Sequence, residues 1–290
     1  FLVILAIYFV RICARAYAWK LSVHGPYRLG IRDTIPAVVI GEAVSSTIPL
    51  GILASGTSKA LAVRNRIPLV AGLSSVATEN LFYSLTTGLF LIAGAILLLR
   101  VFAVDVSVVF MINLLIAALI VLITIGVIMV IRQWHFASAI CNRVYELGIL
   151  TRLLENGRHD VRQFEDLIYG FYRRYPRRFL PICLLQVAYH SLGVAEVWFI
   201  LTRLGDSLAS LLSAFLLESV SRLITILFKL VPFLIGVDEA GAEFVGELVS
   251  LTAGVGVTLA IIRKGRILFW AAIGWLLIAK RGLRITDIRS

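Results

Sequence analysis

The 290-residue chain is 60% hydrophobic and only 16% charged, with a mean hydropathy of +0.95. Soluble domains are roughly 45–50% apolar and about 25% charged. The composition therefore excludes a soluble globular protein and predicts an all-α polytopic membrane protein, with room for about six to eight membrane elements. The net charge of +11 carries no nucleic-acid signature: no zinc-finger or RNP motif accompanies it, and Lys and Arg gather in cytoplasmic loops beside anionic headgroups. Cys13, Cys141 and Cys183 form no CxxC and read as free thiols.

Residues 1–19 predict a first membrane helix, interrupted by Arg11 and Arg15. It opens inside an apolar run with no basic stretch before it, so the expectation is a membrane helix of a longer chain, not a signal peptide. Residues 34–58 are apolar but broken by Pro36, Gly41, Glu42, Pro49, Gly51 and Gly56, and basic residues flank both ends. If both flanks are cytoplasmic, this segment is a re-entrant hairpin of two half-helices, whose irregular backbone must lie against protein or water. Residues 68–99 form a long helix with Glu79, Tyr83 and Thr86 on one side, and 106–131 form a charge-free span. Together these elements make a first membrane half, 1–131.

Residues 132–178 hold nine Arg against five acids, which places them in the cytoplasm by the positive-inside rule. Phe164, Leu167, Ile168, Phe171 and Tyr172 recur at i, i+3, i+4, i+7 and i+8, the spacing of an amphipathic helix lying along the membrane surface. Arg173, Arg174, Arg177 and Arg178 either bind anionic headgroups there or act only as a topological anchor. The second membrane half, 179–290, comprises a helix with Gln186, His190 and Glu196, a broken hairpin at 207–238, and terminal helices. Arg263, Lys264 and Arg266 are expected in a cytoplasmic loop within it.

The charges inside the hydrophobic segments carry the functional signal. Glu218, Arg222, Thr225 and Lys229 fall at i, i+4, i+7 and i+11, one stripe of a helix. Each charge in hydrocarbon costs at least ~2.5–3.5 kcal/mol, so the stripe should face other helices or a polar path. Lys59, Arg222, Lys229, Glu42, Glu79, Glu218, Asp238, Glu239 and Glu243 are candidates to line such a path. The plainer alternative is mutual neutralisation, as for Glu218 and Arg222 one turn apart. His190 is either a satisfied interior histidine or a proton relay. A lipid phosphate would seek Arg222, Lys229 or Lys59, and half-helix N-termini would add partial positive charge. No triad, P-loop, nucleotide motif or metal-ligand spacing is present, so no cofactor and no enzyme activity are expected.

Two segments repeat. Glu42-Ala-Val-Ser-Ser46 precedes Pro49 and Gly51, and Glu218-Ser-Val-Ser-Arg222 precedes Pro232 and Gly236. Paired broken helices at matching places in two inverted halves point to a transport site at their interface. At these residues the chain resembles the lysylphosphatidylglycerol synthase transmembrane region, or flippase-like domain family, which includes the membrane half of MprF-like proteins. The resemblance spans nearly the whole chain. It rests on Pro49-Leu-Gly51-Ile-Leu-Ala-Ser-Gly-Thr-Ser-Lys59 and on Pro232-Phe-Leu-Ile-Gly236-Val-Asp-Glu239-Ala-Gly241. Many members carry paired glycines where Phe233-Leu-Ile stands, and Arg where Lys59 stands. The resemblance implies translocation of a lipid, or a membrane-domain role with an unidentified lipid, and not lysyl transfer by these residues.

The combined reading is a translocator of a lipid with a charged, anionic headgroup, phospholipid or polyprenyl-phosphate-linked, in the prokaryotic cytoplasmic (inner) membrane. Its partners are membrane lipids, with a homo-oligomer left open. A proton- or ion-coupled solute transporter and a non-catalytic membrane subunit of a lipid-modifying system remain alternatives.

Overall fold

A computed structural model describes residues 1–48, 51–102, 105–147, 151–204, 210–227 and 236–281. Among them the regular structure is eleven α-helices: α1 (Leu2–Ser22), α2 (Ile31–Thr47), α3 (Gly51–Ala62), α4 (Leu69–Val101), α5 (Val106–Arg132), α6 (Phe136–Glu146), α7 (Thr151–Arg174), α8 (Pro176–Arg203), α9 (Leu211–Leu227), α10 (Val237–Leu248) and α11 (Val255–Arg281). Helices α1, α4, α5 and α8 are long and apolar enough to cross a membrane. In α5 no residue is buried, so its apolar surface is left for lipid on every side but the one packed on α4.

The same order of elements occurs twice. A long helix, a 17-residue helix, a 12-residue helix and a second long helix make up α1–α4 and again α8–α11. At 1.5 Å per residue the shorter helices reach about 26 and about 18 Å, less than the ~30 Å hydrocarbon core. Helices α1 and α8 pack together at the centre, and each 17-residue helix packs on the long helix of the other half, α2 on α11 and α9 on α4. The repeated motif sits at these crossings. A Cβ on Gly274 of α11 would stand 2.4 Å from the Cβ of Ala43, and one on Gly94 of α4 would stand 2.7 Å from the Cβ of Ser219. Ala43 and Ser219 are the second residues of the two motifs.

Three expectations need correction. Arg11 and Arg15 do not interrupt the first helix: α1 runs unbroken from Leu2 to Ser22. The boundary expected at 238 falls inside a helix, since α10 continues to Leu248. Arg263, Lys264 and Arg266 form no loop. They lie inside α11, which is continuous through them, with Arg263 and Arg266 buried. Each finds a carboxylate on another helix. Pro49, Pro232 and Lys229 lie outside the described residues, as does the side chain of Thr225.

Helices α6 and α7 pack together, with the Glu165 carboxylate accepting from the backbone N–H of Ala137 and Ser138 at the start of α6. The apolar side of α7 meets α4, where Phe171 and Tyr172 pack on Phe82. Arg178 donates to the carbonyls of Leu21 and Val23 at 3.1 and 2.9 Å, closing the C-terminal end of α1. Arg173, Arg174 and Arg177 are exposed. In the turn after α1, burial holds the His24 imidazole below its ordinary range, and the guanidiniums of Arg178 and Arg174 add to this.

Candidate functional site

Helices α1, α8, α9 and α11 meet around one carboxylate. Glu218 of α9 is fully buried. It accepts from Arg222 one turn on at 2.6 Å, from Arg263 of α11 at 2.6 Å and from Arg11 of α1 at 3.3 Å. Arg11, itself fully buried, also donates to Glu196 of α8 at 3.1 Å, and Arg266 of α11 pairs with the same carboxylate. Gly193 of α8 makes room for this junction, since a Cβ there would stand 2.3 Å from Glu218 Oε1 and 3.0 Å from Arg11 Nη2. Arg263 also donates to Ser221 Oγ at 2.7 Å, and Ser221 donates to Asp238 at 3.0 Å.

A second centre forms in the first half. Glu79 of α4 accepts from Gln186 at 2.8 Å and from Arg15 of α1 at 3.3 Å, with the Lys59 ammonium of α3 at 3.9 Å. Arg15 also reaches Asn80 at 3.3 Å and lies 3.9 Å from Glu42, which accepts from the Tyr8 hydroxyl at 2.8 Å. The Lys59 stem crosses Gly41, where a Cβ would meet its carbons at 2.6 and 2.7 Å.

Aromatic rings join the centres. Arg15 lies over Tyr83, and both Arg11 and Arg222 lie over Tyr189, at 4.6, 4.5 and 5.3 Å, within cation–π range. The Tyr83 and Tyr189 rings are 5.8 Å apart, edge to face. His190 stacks between Tyr83 and Phe90, with a ring nitrogen 3.2 Å from Thr87 Oγ1. Behind this layer a cavity of about 680 Å³ opens between α4, α8 and α9, walled by Leu89, Phe90, His190, Val194, Trp198 and Phe215.

Six cations (Arg11, Arg15, Lys59, Arg222, Arg263 and Arg266) thus gather with five carboxylates (Glu42, Glu79, Glu196, Glu218 and Asp238). Two of the cations stay partly open: the Arg15 and Arg222 side chains are 15% and 13% exposed. The Nη1 of Arg222 makes no hydrogen bond to another described residue, and that of Arg15 has only the Glu42 carboxylate at 3.9 Å. The buried Nε atoms of Arg11 and Arg266 are likewise donors without acceptors among the described residues. A partly open guanidinium with a free donor can accept an anion.

Of the residues singled out from sequence, Lys59, Glu42, Glu79, Glu218 and Arg222 fall in this cluster, and Asp238 joins it through Ser221. Glu239 stands apart, paired with Lys264. Glu243 accepts from the backbone N–H of Gly254 and Val257, at 2.7 and 3.1 Å, and so caps the start of α11. Arg11, Arg15, Glu196, Arg263 and Arg266 were not among the candidates. Their signal was available in the i, i+4 and i, i+3 spacings of charge within apolar runs, but their partners are remote in sequence.

The chain is thus a helical integral membrane protein with a charged centre between two halves of like build. A family model of the lysylphosphatidylglycerol synthase TM region matches residues 1–274, and the chain belongs to that family. No curated protein and no solved structure matches it.

Proposed function

We propose that the chain translocates a lipid with an anionic headgroup, phospholipid or polyprenyl-phosphate-linked, across the prokaryotic cytoplasmic membrane, without catalysing a covalent step. In this reading α1–α4 and α8–α11 are inverted repeats, and α2/α3 and α9/α10 are re-entrant hairpins entering from opposite faces. The headgroup crosses at their interface while one half rocks against the other.

The observation that carries the reading is the buried cluster to which both halves contribute, with a cation in excess, a spare guanidinium donor on Arg222 and a partly open Arg15 beside it. Charges at membrane depth are costly and mark substrate paths, and a phosphate would supply the missing acceptors. A solute transporter would use the same charges but need no lateral opening; the cavity between α4, α8 and α9 favours a lipid.

The test is translocation in proteoliposomes, using fluorescent phosphatidylglycerol and a polyprenyl-phosphate analogue, with the wild type beside Arg222→Ala and Arg15→Ala. Wild-type transport of one lipid, lost in both folded variants, is the expected result. Transport of neither lipid, or transport indifferent to both substitutions, would overturn the reading.

A further inference from the structure

We propose that the cavity between α4, α8 and α9 holds the hydrocarbon tails of the lipid whose headgroup sits on Arg15 and Arg222, an assignment that rests on the translocation reading above. Its wall is almost wholly apolar, and Leu89, Val187, Trp198 and Leu211 at its rim are exposed. The rim residues of α4 and α8 lie within membrane-spanning helices, so the opening meets acyl chains and not water. At about 680 Å³ the cavity is in the ~300–1,000 Å³ range of small-molecule sites.

Position selects the tails of that same lipid. His190 in the wall touches Tyr83 and Tyr189, with ring centroids 5.7 and 5.5 Å away. Those rings carry the guanidiniums of Arg15 and Arg222 on their other contacts. The hydrocarbon-lined space and the cations therefore border the same aromatic layer, one ring apart, close enough for one lipid to reach both around its edge.

The aromatic residue at the matching place in the other half is packed differently. Phe90 lies four residues before Gly94, and Trp270 lies four residues before Gly274. Phe90 borders the open cavity. Trp270 is instead stacked on Phe9 at 5.8 Å and packed into the core that includes Ile12 and Val39. Among the described residues, the two aromatic side chains at matching places thus differ, Phe90 bordering the cavity and Trp270 packed against its neighbours.

The test uses the full chain in vesicles containing phosphatidylglycerol with a diazirine in its acyl chain, followed by peptide mapping of the photoadducts. Adducts should concentrate on α4, α8 and α9 around the cavity. Filling it with Ala195→Trp, or with Val187→Trp if the first variant does not fold, should lower them about tenfold; Leu114→Trp on the lipid-facing α5 should not. Equal labelling of α5 and of the cavity, or labelling indifferent to the filled cavity, would overturn the assignment. Translocation is read on the same samples. A filled variant that transports at the wild-type rate sinks the tail site and leaves the translocation reading standing. A wild type that labels in the cavity yet moves no lipid sinks the translocation reading and keeps the cavity as a lipid site.

Discussion

In the first half, Lys59 on the short helix α3 faces Glu79 on the long helix α4; in the second, Glu239 on α10 faces Lys264 on α11. The backbone plan is repeated and the charge is reversed. The motif glutamates differ as well. Glu218 is wholly buried under three guanidiniums, whereas Glu42, 16% exposed, accepts from Tyr8 and has Arg15 at 3.9 Å. Glu218 therefore sits in the buried core of the charged centre, and Glu42 lies at its more open edge. A duplicated scaffold can hold one element for stability and free its counterpart for a ligand.

The largest expected effect separates those glutamates. Glu218→Gln leaves Arg222 and Arg263 without a carboxylate and weakens the hold on Arg11, and should cost about 3–5 kcal/mol. Glu42→Gln, at a partly exposed site, should cost about 1 kcal/mol or less. Unfolding titrations in mixed micelles measure both, and equal losses would erase the distinction between core and edge. Removing Arg263 together with the Glu218 carboxylate should recover part of the loss, which a double-mutant cycle reads directly.

The helix crossings give a smaller contrast. Gly274→Ala brings a methyl against the Ala43 Cβ and the Val39 carbonyl, at 2.4 and 2.8 Å. A backbone carbonyl cannot turn aside, so an overpacking cost of about 1–3 kcal/mol is expected. Gly94→Ala meets only the Ser219 side chain among its contacts under 3 Å, and part of that can rotate away. The loss should be the lesser of the two in the same titration. The reverse order would mean that α4 against α9 is the tighter crossing.

The reversed pairs should differ least. Exchanging Glu239 and Lys264 for one another swaps two partly exposed groups and should change stability by no more than about 1 kcal/mol. Exchanging Lys59 and Glu79 should lower stability further and reduce transport, since Glu79 also holds Arg15 and Gln186. Indifference of transport to the second exchange would remove the first-half centre from the path.

Much of this was legible in the chain. Apolar runs of span length, with charges spaced along single helix faces, specify membrane helices that keep a polar side away from lipid. The two Glu-x-Val-Ser motifs beside Pro and Gly marked matching short helices, because broken apolar segments can fold only against protein. Local signals could not pair Arg11 with Glu196 and Glu218, separated by 185 and 207 residues. The same limit turned Arg263 and Arg266 into a supposed loop, since periodicity cannot tell a basic residue at the membrane surface from one neutralised by a distant acid. The sequence by itself determined the membrane solvent, the helices and the polar faces they must hide. Tertiary structure alone decided which charges meet, which guanidinium donors stay open and where an apolar cavity forms beside them, because ion pairing and packing depend on distances between elements that hydropathy does not encode.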